Sequence, residues 1–145
     1  IENYQQKLKE LKKFGIILLS NSNTIIGNIN LIGIDDRQSS KDQLINCSKL
    51  HVKNKYNLLL VHKPSIWKKI NDKTDLMLSG HCHNGQIMPF NLLVKLQFRF
   101  IYGFYKNNNS KLYISSGAAC WGPRMRVGTF NEIVHLELTN KKLII

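Results

Sequence analysis

Two short apolar runs, each leading into histidine, constrain this chain more than any other feature. Leu58-Leu59-Leu60-Val61 leads directly to His62, and Leu76-Met77-Leu78-Ser79-Gly80 leads to His81 and His83. A continuous apolar run of this length reads as a strand buried on both faces. Both runs stop at turn chemistry, His62-Lys63-Pro64 in one case and Gly80-His81-Cys82-His83 in the other. Ligands in open α/β sheets gather beyond the carboxyl ends of strands, which is where these histidines fall.

The rest of the chain supplies a matching alternation. Tyr4, Leu8 and Leu11 predict an amphipathic helix over residues 2–13, ended by Gly15. Ile16–Leu19 reads as a short strand and Asn21–Asn23 as a turn. Thr24–Ile26 and Ile29–Ile34 read as strands, the second closed by Asp35-Asp36. Leu44, Cys47 and His51 share one possible helical stripe within residues 38–51, and Ser65–Asn71 allows a short helix. Asp75–Ser79, Leu112–Ser115 and Glu132–Leu138 complete the strands. The fold expected is therefore a layered α/β domain and not an all-β barrel.

Composition narrows the class of partner. The 21 Lys and Arg outnumber the 9 Asp and Glu, for a formal charge of +12, which suits anionic company. Only four of the cations are Arg, fewer than a reader of phosphates or bases by bidentate contacts usually carries. Three cysteines, Cys47, Cys82 and Cys120, cannot close a disulfide set and show no CxxC spacing. A reducing, cytoplasmic setting is the expectation. No apolar run is long enough to span a membrane, and no signal peptide is visible. The chain opens on Ile rather than Met, so an upstream segment is expected.

His81 and His83 are two residues apart, so in extended geometry both rings point to one side and Cys82 to the other. Such a pair is a metal site or two histidines in a surface turn. His62, at the end of a second apolar strand, adds weight to the metal reading, because neutral imidazole is the commonest metal ligand. Cys82 is expected to pack. His135 reads as a solvent-facing strand residue and His51 as a solvated helix end. If His62 and His81 share an ion, their rings should stand within about 5 Å of one another.

At this point the residues resemble a known family. Val61-His62-Lys63-Pro64, Asp75–Ile87 and Pro89 are similar to the calcineurin-like metallophosphoesterases, most of all the bacterial predicted-phosphohydrolase branch with its DLxLSGHTHGGQ motif. Gly33–Asp36, Tyr102–Tyr105, the Gly-rich stretch Gly117–Gly128 and Glu132-Ile133 extend the likeness over nearly the whole chain. Cys82 replaces the usual Thr or Ser, and Asn84 the usual Gly. Asn is the least costly substitute if that position needs positive φ. The family's Asp-x-His, Gly-Asp-x-x-Asp and Gly-Asn-His-Asp/Glu motifs are absent.

The resemblance implies half of a layered α-β-β-α sandwich, with residues 1–145 as the carboxyl-terminal part of a single metallophosphoesterase domain whose amino-terminal half is absent. It implies a metal-dependent phosphoester hydrolase as the parent, with two divalent ions (Mn, Fe or Zn) that clamp the ester and activate water for in-line attack. Carried over by position, His62 and His81 match ligands of one ion and His83 a ligand of the other. Arg126 matches the branch's loop Arg and is a candidate phosphate contact, or else an ion-pair partner of Glu132. Arg124 stands where Pro is common. The partners implied are a phosphoester substrate, lipid-linked in some relatives, and the missing half of the same protein. Membrane association through the parent's missing amino-terminal segment is also open. The apolar stretch Phe90–Tyr105, with Lys95 and Arg99, either meets lipid or serves as core and edge strand. The isolated chain is expected to be inactive. The other reading is a non-catalytic basic module for nucleic acid or an anionic membrane surface, using the Lys-rich segment 41–73. It has no RNP-type aromatics, helix-turn-helix signal or zinc-finger spacing behind it, so nucleic acid is not the partner expected.

Overall fold

The computed structural model describes residues 2–139. Helix α1 (Glu2–Lys13) precedes a hairpin of β1 (Ser22–Ile26) and β2 (Ile29–Gly33). Helix α2 (Ser40–Leu50), β3 (Tyr56–Leu60), a 3-10 turn (Pro64–Ile66) with α3 (Trp67–Ile70), and β4 (Leu76–Ser79) follow. A second 3-10 turn (His83–Gly85), α4 (Phe90–Gln97) and a hairpin of β5 (Gly103–Asn107) and β6 (Ser110–Ile114) complete the regular elements among the described residues.

All six strands join one sheet in the order β1-β2-β3-β4-β6-β5. The four inner strands are parallel and each edge strand is antiparallel to its neighbour. The β1–β2 turn places Gly27 at φ 58°, the left-handed conformation that a two-residue hairpin loop requires of its first residue. Helix α2 is started by Ser39, whose hydroxyl accepts the Asp42 N–H at 3.2 Å.

Strand alternation sends Ile32, Leu59, Met77, Leu112 and Ile114 to one face, where Cys47 of α2 and Ile66, Trp67 and Ile70 cover them. Trp67 donates its ring N–H to the Ser110 hydroxyl at 2.9 Å, so the largest ring in that core is not left with an unpaired donor. At the amino ends of the strands, buried Asn30 donates to Asn57 Oδ1 at 2.7 Å and to the Leu50 carbonyl at 2.9 Å. The opposite face buries Leu58, Leu76 and Gly33 but leaves Leu60 and Phe104 36 % and 56 % exposed. The layering is one sheet and one helical layer, in the α/β class expected.

Two expected strands are not there. Ile16–Leu19 is irregular, with Ile17 72 % exposed, and Glu132–Leu138 is irregular, with Ile133 93 % exposed. Both segments have the right composition, but neither has a ladder partner among the described residues, and a strand without one leaves its backbone groups to water. The run Leu58–Val61 is buried apart from Leu60. In the stretch 90–105, β5 is an edge strand as one reading had it, while Phe90–Gln97 forms a helix.

Candidate metal centre

His62 and His81 meet at the carboxyl ends of two adjacent strands. β3 pairs in parallel with β4 through Leu58↔Leu76, Leu59↔Met77 and Leu60↔Leu78. The Gly80 N–H continues the ladder to the His62 carbonyl at 3.0 Å. His81 Nδ1 therefore lies 3.2 Å from His62 Nε2, with ring centroids 5.0 Å apart. An open cleft of about 360 Å³, bounded by Leu60, Val61, His62, Leu78, Ser79 and Gly80, adjoins them.

The loop that carries the second histidine is not extended. His81, His83, Asn84, Gly85 and Gln86 all have positive φ, from 47° to 78°. Side chains other than Gly pay for this conformation, and such strain gathers at functional sites. Asn84, at φ 52°, is the residue type that tolerates the position best after Gly. His81 and His83 are therefore carried on a left-handed turn and not on an extended segment. His81 meets His62 and lies edge-on to Phe98, with centroids 5.9 Å apart. His83 faces the return loop, and its Nδ1 is buried with no hydrogen-bond partner among the described residues. Cys82 packs inward, its thiol pushed up in pKa by burial.

The electrostatics favour the neutral forms of His81 and His83. Burial lowers the His81 pKa, helped by the neighbouring His62 and Lys63. Burial also lowers the His83 pKa, helped by the Arg126 cation. Neutral imidazole is the form that binds metal. Two ligands about 2.1 Å from one tetrahedral ion stand about 3.4 Å apart, close to the His62–His81 separation. The residues therefore fit a divalent ion, though incompletely: among the described residues no three His, Cys, Asp or Glu form one donor group. Asp36 lies near enough to oppose the fall of the His81 pKa. Its carboxylate is 3.1 Å from Lys63 Nζ, and one of its oxygens is buried without a partner. Asp35 is held instead by Arg37, whose bonds pull its carboxyl far below the usual range.

Arg126 is bonded mainly to backbone carbonyls, and not to Glu132. It donates to the carbonyls of His83 at 2.9 Å, Ser116 at 2.6 Å and Ala119 at 2.7 Å, and to Asn131 Oδ1 at 2.6 Å. Of its five N–H groups these bonds leave one on Nη1. Glu132 is bonded elsewhere, to the Ser116 N–H at 2.7 Å and to the hydroxyls of Tyr102 and Tyr113.

Gln86 ends the histidine motif, and the structure gives it a fastening role that the motif alone does not disclose. Its side chain accepts the Trp121 N–H at 2.7 Å and donates to the Trp121 and Pro123 carbonyls. Its backbone carbonyl accepts from the Thr129 hydroxyl at 2.8 Å. The His83–Gln86 turn and the return loop are thus fastened as one unit by Gln86 and Arg126.

This geometry can be set beside known proteins. The chain is 41 % identical over 133 residues to an uncharacterized metallophosphoesterase of Campylobacter jejuni, a match covering 86 % of this chain and 35 % of that protein. It is 36 % identical over 142 residues to an uncharacterized metallophosphoesterase of Helicobacter pylori, covering 92 % of this chain and 38 % of the relative. The chain belongs to the metallophosphoesterases. An uncharacterized metallophosphoesterase of Bacillus subtilis is 32 % identical over 148 residues, covering 94 % of this chain and 54 % of the relative. The chain thus spans from about a third to about half the length of these relatives. No family model and no solved structure matches it. No helix among the described residues is long and apolar enough to cross a membrane.

Proposed function

We propose that this chain is the carboxyl-terminal part of a metal-dependent phosphoester hydrolase domain, and that it contributes His62, His81 and His83 to a two-metal centre. The observation that carries the reading is the 3.2 Å approach of His62 Nε2 to His81 Nδ1 at the ends of adjacent parallel strands. His62 and His81 hold one divalent ion and His83 serves the other. Mn, Fe and Zn all suit imidazole, and availability selects among them. When bound, such a pair polarises a phosphoester and lowers the pKa of water.

The chain's own residues do the positioning. The β3–β4 ladder fixes the distance between His62 and His81. Phe98 walls the His81 ring on one side. Arg126, through the His83 carbonyl, keeps the His83 turn against the return loop, and its remaining Nη1 hydrogen is available to a phosphoryl oxygen as a single bond. A bidentate grip, which takes two parallel N–H groups, is not open to it. The Lys-rich segment 41–73 is partly spent on internal contacts: Lys63 pairs with Asp36, Lys55 donates to the Gly27 carbonyl and Lys73 to the Ser48 hydroxyl.

The test has two arms. In the full-length polypeptide, hydrolysis of an aryl phosphate or phosphodiester with Mn²⁺ or Zn²⁺ should fall by at least about 10²-fold in His81→Ala. The isolated 145-residue chain should bind the same ions weakly and show no turnover. Among the described residues no carboxylate joins the histidines in one donor group to offset the repulsion between two close cations. Turnover by the isolated chain, abolished by His81→Ala, would reject the reading of a partial site.

A further inference from the structure

Helix α4 turns its apolar side outward. Phe90, Leu92, Leu93 and Leu96 are 60, 58, 59 and 85 % exposed, whereas Asn91 and Val94 are turned in. At about 100° per residue, the four exposed side chains share one arc of the helix. Asn91 faces the His83 turn: its N–H reaches the Ile87 carbonyl at 3.1 Å, and a Cβ at Gly85 would collide with it. The segment entering the helix is joined to the return loop by the Met88 N–H, which donates to the Val127 carbonyl at 2.9 Å. Met88, two residues before α4, is 54 % exposed, and Trp121, whose backbone is bonded to the Gln86 side chain, is 75 % exposed.

The charge on this part of the chain is one-sided. Between Asp75 and Glu132 the sequence has no Asp or Glu at all, but it has Lys95, Arg99, Lys106, Lys111, Arg124 and Arg126. Lys95 and Arg99 sit on and just beyond the helix.

We propose that α4, with Met88 and Trp121, docks on the surface of a bilayer containing anionic lipids. Apolar side chains beside Lys95 and Arg99, in a stretch of sequence without Asp or Glu, match the acyl–headgroup boundary of such a membrane. Each Lys or Arg brought to an anionic surface contributes about 1 kcal/mol, or about fivefold in affinity. A single eight-residue helix buries few side chains, so the attachment is peripheral, reversible and sensitive to salt. Because α4 abuts the His83–Gly85 turn, docking brings the histidine loop to the headgroup level. The docking goes beyond the metal-centre reading and stands whether or not the histidines hold metal.

The experiment is co-sedimentation of the full-length polypeptide with vesicles of phosphatidylcholine, alone or mixed with phosphatidylglycerol, without turnover being measured. Binding is expected only to the mixed vesicles. It should weaken about fivefold in Lys95→Gln and lessen steadily with added NaCl. Leu93→Ser combined with Leu96→Ser should abolish it at unchanged Tm, since both positions are exposed. In a Cys120→Ser background, Leu96→Cys should react rapidly with a polar maleimide in free protein and be protected by mixed vesicles. The proposal is overturned by absence of binding to mixed vesicles, or by binding that the paired Leu changes leave intact. Slow labelling of Leu96→Cys without vesicles would also overturn it, because another part of the polypeptide or a second copy would then cover α4.

Discussion

The φ of 78° at His81 belongs to a conformation that suits glycine, and holding a histidine there costs about 1–3 kcal/mol. The ring is kept at this cost because it meets His62. His81→Gly should therefore leave the Tm of the metal-free full-length protein unchanged or raise it, while metal affinity falls sharply. A lower Tm would mean that the ring's contact with Phe98 outweighs the strain. Arg126 is the opposite case, a residue whose bonds are all favourable. Arg126→Ala strands carbonyls of His83, Ser116 and Ala119, and should lower stability by about 1–3 kcal/mol along with activity. Arg124→Ala, at an exposed position, should change stability by less than about 0.5 kcal/mol. A calorimetric comparison of the two variants checks this order.

At the scale of elements, the return loop is held to the sheet by Glu132. Burial acts to raise the pKa of its carboxyl, but the Ser116 N–H and the hydroxyls of Ser115, Tyr102 and Tyr113 outweigh it, so the net shift is downward. A lowered carboxyl contributes stability that is complete above its unfolded pKa of about 4.3 and is lost as pH falls through the folded value. The phenol of Tyr113 is pushed up to about 12, by burial first and then by the Glu132 charge. Its neutral form thus supports the fold below about pH 10, and that support is lost as pH rises toward 12. Glu132→Gln should flatten the acid side of a Tm-against-pH curve. An unchanged curve would deny the carboxylate this role. The same elements explain what the sequence did and did not disclose. β3, β4 and the histidines at their ends were legible because apolar runs and turn residues are local signals. The irregular path of Ile16–Leu19 and Glu132–Leu138 was not, because a strand is defined by its partner and composition carries no partner. The left-handed turn at 81–86 was half visible, in Gly85 and Asn84, but the positive φ of His81 and His83 opposes local preference and arises from the surrounding contacts. Gln86 was visible as the last residue of the histidine motif, but its fastening role was not, because its bonds reach residues 35 and more positions away.

At the scale of the whole molecule, the two faces of the sheet differ. Helices α2 and α3 seal one face around Leu59 and Met77, both fully buried. On the other face Leu60 and Phe104 reach solvent, as does Ile26 on the edge strand, 59 % exposed. Apolar residues in such an arrangement mark a surface that meets another body. If this face is covered by the rest of a phosphoesterase domain, it should behave differently in the isolated chain and in the full-length polypeptide. The isolated chain should bind an apolar dye such as ANS and self-associate with rising concentration, while the full-length protein should do neither. Leu60→Lys paired with Phe104→Lys should relieve self-association of the isolated chain, because two exposed side chains become charged without emptying the α2–α3 core. In the full-length protein the same pair should destabilise, since burying an unpaired ammonium costs several kcal/mol. Lys pairs tolerated in the full-length protein would show that the face is open to water there too. The second layer of the sandwich would then have to be sought elsewhere than on this sheet.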